Sequence, residues 1–463
     1  MNQSATSNCA GMGQGTPGGR LLALVRRLRT AILGAGDRGA DRMNALLAFG
    51  VRVTSAGILF VSQVALARWM GPEQFGVYVY VWTLVLVTGA IATVGLNIGA
   101  IRIVSELREK AAVAELRGFL LSGRLVVAVV AGGVAALAIA AAWHLADRGV
   151  AGPWMTIAII MLAVPAYSLT DLQDGICRGC ARIGSALVAP YILRPLLILG
   201  GVGTLHLAGV GLDASRAAMA AVVATWIAWA LQTMIVAREL RPIVPVGPRT
   251  YDVPAWRATA APLMAMGIFD LAMQNIDVIV ISNLASATEA GIYFAGAKTM
   301  ALILFVHYAV GSAMSNRFAA IATRGDADAM RAAVRDAVRW TFWPSLGLAI
   351  LMLLSGKHLL ALFGPGFAAG YPVMCILAVA IVGRAAIGPA EALLNMTGGQ
   401  RDCARSLMIA ALANIILSVA LTPVLGILGA ATAVSCAILL GAWLNWRAIR
   451  RNLGIDAGIW ANR

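Results

Sequence analysis

The chain has 463 residues, of which 60% are apolar and 12% charged. Soluble domains carry roughly 25% charged residues, so a soluble multidomain protein is excluded, as are a disordered chain and a disulfide scaffold. The formal charge of +15, from 36 Lys and Arg against 21 Asp and Glu, does not signal nucleic-acid binding, because the basic residues recur in small groups between apolar runs. The composition is that of an all-α integral membrane protein, and its 49 glycines suit helices whose backbones approach closely.

Residues 1–43 are polar and Gly-rich, then basic, and read as a cytoplasmic N-terminal segment without a cleaved signal. Within it Arg20 to Leu33 reads either as an amphipathic helix on the anionic leaflet or as a basic tail obeying the topology rule. A hydrocarbon core about 30 Å thick needs about 20 apolar residues per helix. Twelve runs of that order follow: Asn44 to Ala67, Phe75 to Asn97, Phe119 to His144, Pro153 to Asp174, Ser185 to Leu207, Ala217 to Ala237, Ala258 to Leu284, Ala290 to Arg317, Val338 to Ser355, Tyr371 to Asn395, Ala404 to Pro423 and Ile427 to Trp446. Loop charge tests the number, because a missed helix would scramble the alternation. With a cytoplasmic N-terminus, 28 basic residues fall on inner segments and four on outer ones, namely Arg68, Arg148, Arg216 and Lys357. Four more, Arg52, Arg194, Lys298 and Arg384, fall inside apolar runs.

Four prolines, Pro242, Pro245, Pro248 and Pro254, mark a semi-rigid connector over residues 238–257. It divides a six-helix lobe, 44–237, from a second, 258–449, with a cytoplasmic tail at 450–463. The halves echo each other: Gly-Val-Tyr at Gly76 to Tyr78 recurs as Gly-Ile-Tyr at Gly291 to Tyr293, Gly179 to Arg182 answers Gly398 to Arg401, and Trp226 answers Trp443. A duplicated unit of six helices predicts two copies in one orientation, related by an axis along the membrane normal.

The segment Arg68-Trp-Met-Gly-Pro-Glu-Gln-Phe-Gly-Val-Tyr78 resembles the first outer loop of bacterial polysaccharide and O-antigen flippases, within the multidrug/oligosaccharidyl-lipid/polysaccharide (MOP) exporter superfamily. Gly95 to Glu106, Asn275-Ile-Asp-Val-Ile-Val, Ala290-Gly-Ile-Tyr-Phe-Ala, Leu362-Phe-Gly-Pro-Gly-Phe and Leu425 to Ala431 continue the likeness along nearly the whole span from Asn44 to Gly454. The resemblance implies a two-lobed fold like that of multidrug and toxin extrusion (MATE) transporters. It also implies transport of a polyprenyl-diphosphate-linked oligosaccharide across a bacterial inner membrane, in pathways that make O-antigen, exopolysaccharide or capsule. Polysaccharide polymerase and chain-length machinery are the partners it suggests, and it carries over no binding residue. The peptidoglycan lipid flippase of the same superfamily resembles a fourteen-helix arrangement, which the twelve runs disfavour.

Ionisable residues at membrane depth cost a few kcal/mol each on insertion scales and mark candidate sites. Asp270, Gln274 and Asp277 stand at i, i+4 and i+7 in the seventh run, Arg384, Glu391 and Asn395 at i, i+7 and i+11 in the tenth, and Arg52, Ser55 and Gln63 share a face of the first. Each stripe either lines a cavity or holds helices together through hydrogen bonds. Matching depths suggest a Lys298–Asp277 pair. Arg52 and Asp270 lie in helices one and seven, which the repeat makes equivalent and which the family resemblance implies are facing walls of the cleft, so a contact between them would close the inner gate. Arg194 and Arg384 offer cationic sites for a diphosphate, although Arg384 is also placed to neutralise Glu391.

Other features carry less. Cys177-x-x-Cys180 lacks a second pair, and His144, His206, His307 and His358 have no metal-ligand spacing, so neither a metal nor a cofactor is expected. His307 reads as a packed or hydrogen-bonded histidine in helix eight. No G-x-x-x-x-G-K-[ST] phosphate loop occurs, which speaks against ATP-driven transport. Asp326 to Arg339 sets Met330, Ala333, Val334, Ala337 and Val338 on one side and three arginines on another, a basic amphipathic helix expected along the inner leaflet, with Glu106 to Arg117 as its counterpart. Two further functions are to be weighed: a cation-coupled multidrug exporter of the same fold, and a membrane-embedded polysaccharide polymerase or ligase, which would place catalytic groups in a sizeable outer loop. Every predicted outer loop is short, so no enzyme activity is expected.

Overall fold

In the computed structural model, residues 37–461 are described, and every regular element among them is helical. Residues Arg52–Arg463 pack as one unit; of the other, Met1–Val51, only the beginning of the first helix is described, so Arg20 to Leu33 lies outside the described residues. The first half of the chain supplies α1 (Asp37–Ala92), α2 (Leu96–Glu109), α3 (Val113–Asp147), α4 (Trp154–Met161), α5 (Val164–Gly179), α6 (Ile183–Val188), α7 (Arg194–Leu207) and α8 (Ala214–Leu240). The second supplies α9 (Val253–Leu284), α10 (Ala287–Ala301), α11 (Leu304–Arg324), α12 (Ala327–Leu354), α13 (Gly356–Leu362), α14 (Tyr371–Ala385), α15 (Ala390–Met396), α16 (Gln400–Leu425) and α17 (Ile427–Leu453).

Among the described residues ten helices are long and apolar enough to cross a membrane, or eleven if the bent pair α4–α5, angled by 42°, is one span. Twelve spans are expected from the sequence, and the first two of those runs share α1. That helix leaves helical geometry at Gly71 (φ 77, ψ 169), immediately before Pro72, which has no amide hydrogen to continue the ladder. Several runs expected to be continuous are broken: the eighth between Ala301 and Leu304, and the tenth between Ala385 and Ala390, where Gly388 takes φ 64 ahead of Pro389.

The expectation for Asp326 to Arg339 needs correction. The segment is helical and capped, with the Asp326 carboxylate accepting from the Ala329 amide at 2.9 Å, but it is the first half of the 28-residue α12. Its apolar face lies in one buried cluster with Phe318, Leu393, Ile449 and Ala457, so protein covers the side expected to rest on lipid. Glu106 to Arg117 is not one helix either: the chain turns over Lys110–Ala112, with Ala111 at φ 51.

Glycine sets the closest approaches. A Cβ on Gly76 would sit 1.7 Å from the Ala287 carbonyl oxygen and 3.0 Å from the Gly291 nitrogen, while one on Gly291 would meet the Pro72 carbonyl oxygen at 2.4 Å. The glycines of the two recurring Gly-x-Tyr motifs therefore lie against each other, α1 on α10. The halves also meet where Gly95, at φ 74, brings α2 against Ala260 and Met264 of α9. The connector is held at one end: Arg117 donates to the Pro245 and Pro248 carbonyls at 2.5 and 3.0 Å, and the Thr250 amide donates to the Ala114 carbonyl at 3.1 Å.

Candidate substrate cavity

Six of the ten predicted site residues line one cavity of about 580 Å³ in the second half: Asp270, Gln274, Asp277, Lys298, Arg384 and Glu391. The stripe on α9 arises from helical spacing, which turns positions 270, 274 and 277 to one side. Gln274 donates its amide to the Asp270 carboxylate at 2.8 Å. One turn further along, buried Asp277 accepts from the Tyr293 hydroxyl at 2.5 Å and from the Val278 amide at 2.9 Å. Tyr293 belongs to the recurring Gly-x-Tyr motif, so that motif serves both the close contact at Gly291 and this carboxylate.

The predicted Lys298–Asp277 pair does not form. The ammonium of Lys298 lies over the Phe294 ring, 4.9 Å from its centroid, and Asp277 is satisfied by Tyr293 instead. Lys298 follows Phe294 by four residues, so the aromatic face is its neighbour within α10, and an aromatic face attracts a cation in the absence of a nearer carboxylate.

Arg384 and Glu391 do pair, at 2.9 Å, but not as members of one helical stripe. The break at Gly388 and Pro389 turns α15 so that Glu391 faces back to Arg384. Its second oxygen lies 3.1 Å from His307 Nε2 on α11, which confirms a hydrogen-bonded histidine there. The break also removes Asn395 from the set: its side chain is exposed, and its backbone carbonyl accepts from Gln400 at 2.8 Å. Glycine is required at 388 both for the positive φ and because a Cβ would meet Val338 at 2.9 Å.

Arg194 occupies a separate place in the first half. Pro190 and Pro195 each lack an amide hydrogen; the first lies inside a π-helical turn over Ala189–Leu193 that delivers Arg194 at the start of α7. Its guanidinium lies over the rings of Tyr167 and Trp82, 5.0 and 5.6 Å from their centroids. Asp171, on the same small cavity, was missing from the predicted set, although an ionisable residue inside the fourth apolar run was the signal. It accepts from the Asn97 amide at 2.8 Å. Gly175, one turn on, allows that approach, since a Cβ there would meet the Asn97 carbonyl oxygen at 2.0 Å. Gln63 is half-buried, and its carbonyl oxygen has no hydrogen-bond partner among the described residues. The Arg52 side chain, and with it the predicted Arg52–Asp270 gate, lies outside the described residues.

A membrane bundle with bent and broken spans around a cavity carrying both charges is the MATE-like fold. The solved structures the chain is similar to share this fold. It superposes on the inward-facing conformation of a multidrug resistance MATE family transporter of the MOP superfamily with a TM-score of 0.70, at 12% identity over 88% of this chain and 98% of that one. The lipid II flippase MurJ in an inward closed conformation gives 0.61, at 12% identity over 88% and 87%. A MOP superfamily transporter from Pyrococcus furiosus, described as having a binding pocket of reverse polarity, gives 0.60, at 13% identity over 89% and 94%.

By sequence, residues 42–315 match the family described as polysaccharide biosynthesis protein, and residues 262–424 match the MatE family. The first match covers more than half of the chain, which belongs to the polysaccharide biosynthesis protein family of the MOP superfamily. Curated proteins offer no match by sequence.

Proposed function

We propose that this protein flips a polyprenyl-diphosphate-linked oligosaccharide from the cytoplasmic to the outer leaflet of a bacterial inner membrane, with both termini cytoplasmic. The reading rests on membership of the polysaccharide biosynthesis family, and the single observation that carries it is the convergence of six predicted polar residues on one cavity in the membrane-spanning bundle. An unbonded sugar hydroxyl moved into hydrocarbon costs on the order of several kcal/mol, and an ionised diphosphate far more. Asp270, Gln274 and Asp277 would supply hydrogen-bond partners to hydroxyls, and Arg194, Lys298 and, once Glu391 is displaced, Arg384 would attract the diphosphate. The lobes 44–237 and 258–449 would rock about the connector to alternate access, with Gly76 against Gly291 as one of the contacts that must part. An inside-negative potential favours outward movement of the anion by about 2.3 kcal/mol per charge per 100 mV.

The test is the pool of lipid-linked oligosaccharide, measured by mass spectrometry in a strain depleted of this protein. Accumulation of one complete repeat unit supports the reading and identifies the cargo; an unchanged pool overturns it. One observation favours cation-coupled multidrug export as the second reading: three carboxylates, Asp270, Asp277 and Glu391, line the same cavity. That reading expects the unchanged pool together with lost resistance to toxic cations.

A further inference from the structure

The last helix ends in a cationic and aromatic cluster outside the proposed cavity. On α17, Trp443, Trp446, Arg447, Arg450 and Arg451 line a surface hollow of about 370 Å³. Helical side chains lean toward the N-terminus, so an arginine four residues after a tryptophan is brought back over its ring. Arg447 lies 5.6 Å from the centroid of Trp443, and Arg450 lies 5.6 Å from that of Trp446. At the C-terminal end of a spanning helix this lean holds both guanidiniums at the level of the aromatic residues instead of letting them extend into water.

The charges differ in how they are answered. Arg451 pairs with Asp402 at 2.7 Å, and Asn452 donates to the same carboxylate at 2.7 Å. Among the described residues no carboxylate lies within ion-pair distance of Arg447 or Arg450. A cation over an aromatic face keeps its full charge, so two positive charges remain there. The chain segment after α17 braces the hollow: Asp456 accepts from the Trp446 indole at 2.8 Å, and Trp460 packs edge-on against Trp446 with centroids 6.1 Å apart.

Leading up to the hollow is an exposed apolar strip. Leu428, Cys436, Leu439, Trp443 and Arg447 are all exposed and recur at spacings of three, four or eight, which places them on one face of α17. The strip is the length of a spanning helix and ends at the two free guanidiniums. We propose that this face binds an anionic membrane phospholipid, its acyl chain along Leu428, Leu439 and Trp443 and its phosphodiester against Arg447 and Arg450. The strip favours a lipid over a soluble phosphate, which would gain nothing from it. Helix α8, its counterpart in the repeat expected from the sequence, lacks the arrangement: four residues after Trp226 and Trp229 stand Ala230 and Thr233, so neither indole has an arginine one turn on.

The experiment is native mass spectrometry of the full-length protein in neutral detergent, titrated with phosphatidylglycerol, phosphatidylcholine or inorganic phosphate. Wild type should retain phosphatidylglycerol in preference to phosphatidylcholine, and millimolar phosphate should not displace it. The double variant Arg447→Gln with Arg450→Gln should lower retention by about tenfold or more, the loss expected for two basic contacts with an anionic surface. Arg238→Gln, at the exposed end of α8, should leave retention unchanged. If the double variant does not purify as a folded species, Arg447→Gln alone should lower retention about threefold. Equal retention by the variants and wild type, or equal retention of the zwitterionic lipid, overturns the proposal. Displacement by phosphate overturns its lipid assignment. Because the readout is binding, it stands or falls independently of what the transporter carries.

Discussion

Arg194 and Arg384 each bring a guanidinium to membrane depth, one in each half of the chain, and the structure treats them in opposite ways. Arg384 is met by a carboxylate at 2.9 Å, and that carboxylate is shared with His307. Arg194 rests on two aromatic faces, while the neighbouring acid, Asp171, is engaged by an asparagine amide. An ion pair cancels a charge, so an anion approaching Arg384 must displace Glu391. A cation–π contact leaves the charge in place and still offsets part of its desolvation. One cation is therefore locked by its partner, and the other, with no carboxylate within ion-pair distance among the described residues, is the more open of the two.

Breaking the lock should give the largest effect. Glu391→Ala strands Arg384, and removing one member of a buried pair costs about 3–5 kcal/mol. With side-chain exposures of 30% and 34%, this pair should lose somewhat less, about 2–3 kcal/mol, read as thermal unfolding in detergent. Removing both charges, Arg384→Gln with Glu391→Gln, should cost less than Glu391→Ala alone. Strictly additive losses would show that the two side chains are not coupled.

Next in size is the open cation. Under the proposed function, Arg194→Gln should slow export by about tenfold or more, as for loss of a charge-assisted contact worth about 1.5–3 kcal/mol, with a much smaller change in unfolding temperature. Arg194→Lys keeps the charge and loses the planar stacking on Tyr167 and Trp82, so it should fall between. Accumulation of lipid-linked oligosaccharide ranks the three; wild-type pools in Arg194→Gln would mean that the open guanidinium is not used. A smaller effect is expected at Tyr293→Phe, which takes the 2.5 Å hydrogen bond from buried Asp277 and should destabilise the second half by about 1–3 kcal/mol, with Arg194 untouched.

The open and locked states differ also in how far they can be read from sequence. Charges inside apolar runs stand out, because hydrocarbon excludes them unless something compensates, and Asp270, Gln274, Asp277, Lys298, Arg384 and Glu391 all proved to line one cavity. The partners were harder to see. Depth alone suggested Lys298 for Asp277, but depth does not give the direction of a side chain around the helix axis, and Phe294 and Tyr293 took those roles. Counting through Gly388 and Pro389 as though the helix were continuous places Asn395 on a stripe. The same pair of residues, recognised as a break, would have turned Glu391 back toward Arg384. Fold class, by contrast, follows from run length and loop charge, which average over many residues and tolerate a kink such as that at Gly71.

The smallest expected effect concerns what joins the two halves. Arg117 holds the connector through the Pro245 and Pro248 carbonyls, and Thr250 adds a backbone bond to Ala114. These bonds are exposed, each worth about 0.5–1.5 kcal/mol, so Arg117→Ala should leave global unfolding nearly unchanged. It should instead free the stretch between Arg241 and Asp252 from α3, and limited proteolysis there should speed up several-fold. If the connector transmits motion between the half that carries Arg194 and the half that carries Arg384, Arg117→Ala should also slow export slightly in wild type. In an Arg194→Gln background, where anion binding rather than lobe movement limits the rate, it should slow export hardly at all. Equal slowing in both backgrounds would mean that the connector acts independently of the open cation, and that the contrast between the two arginines is a matter of local packing alone.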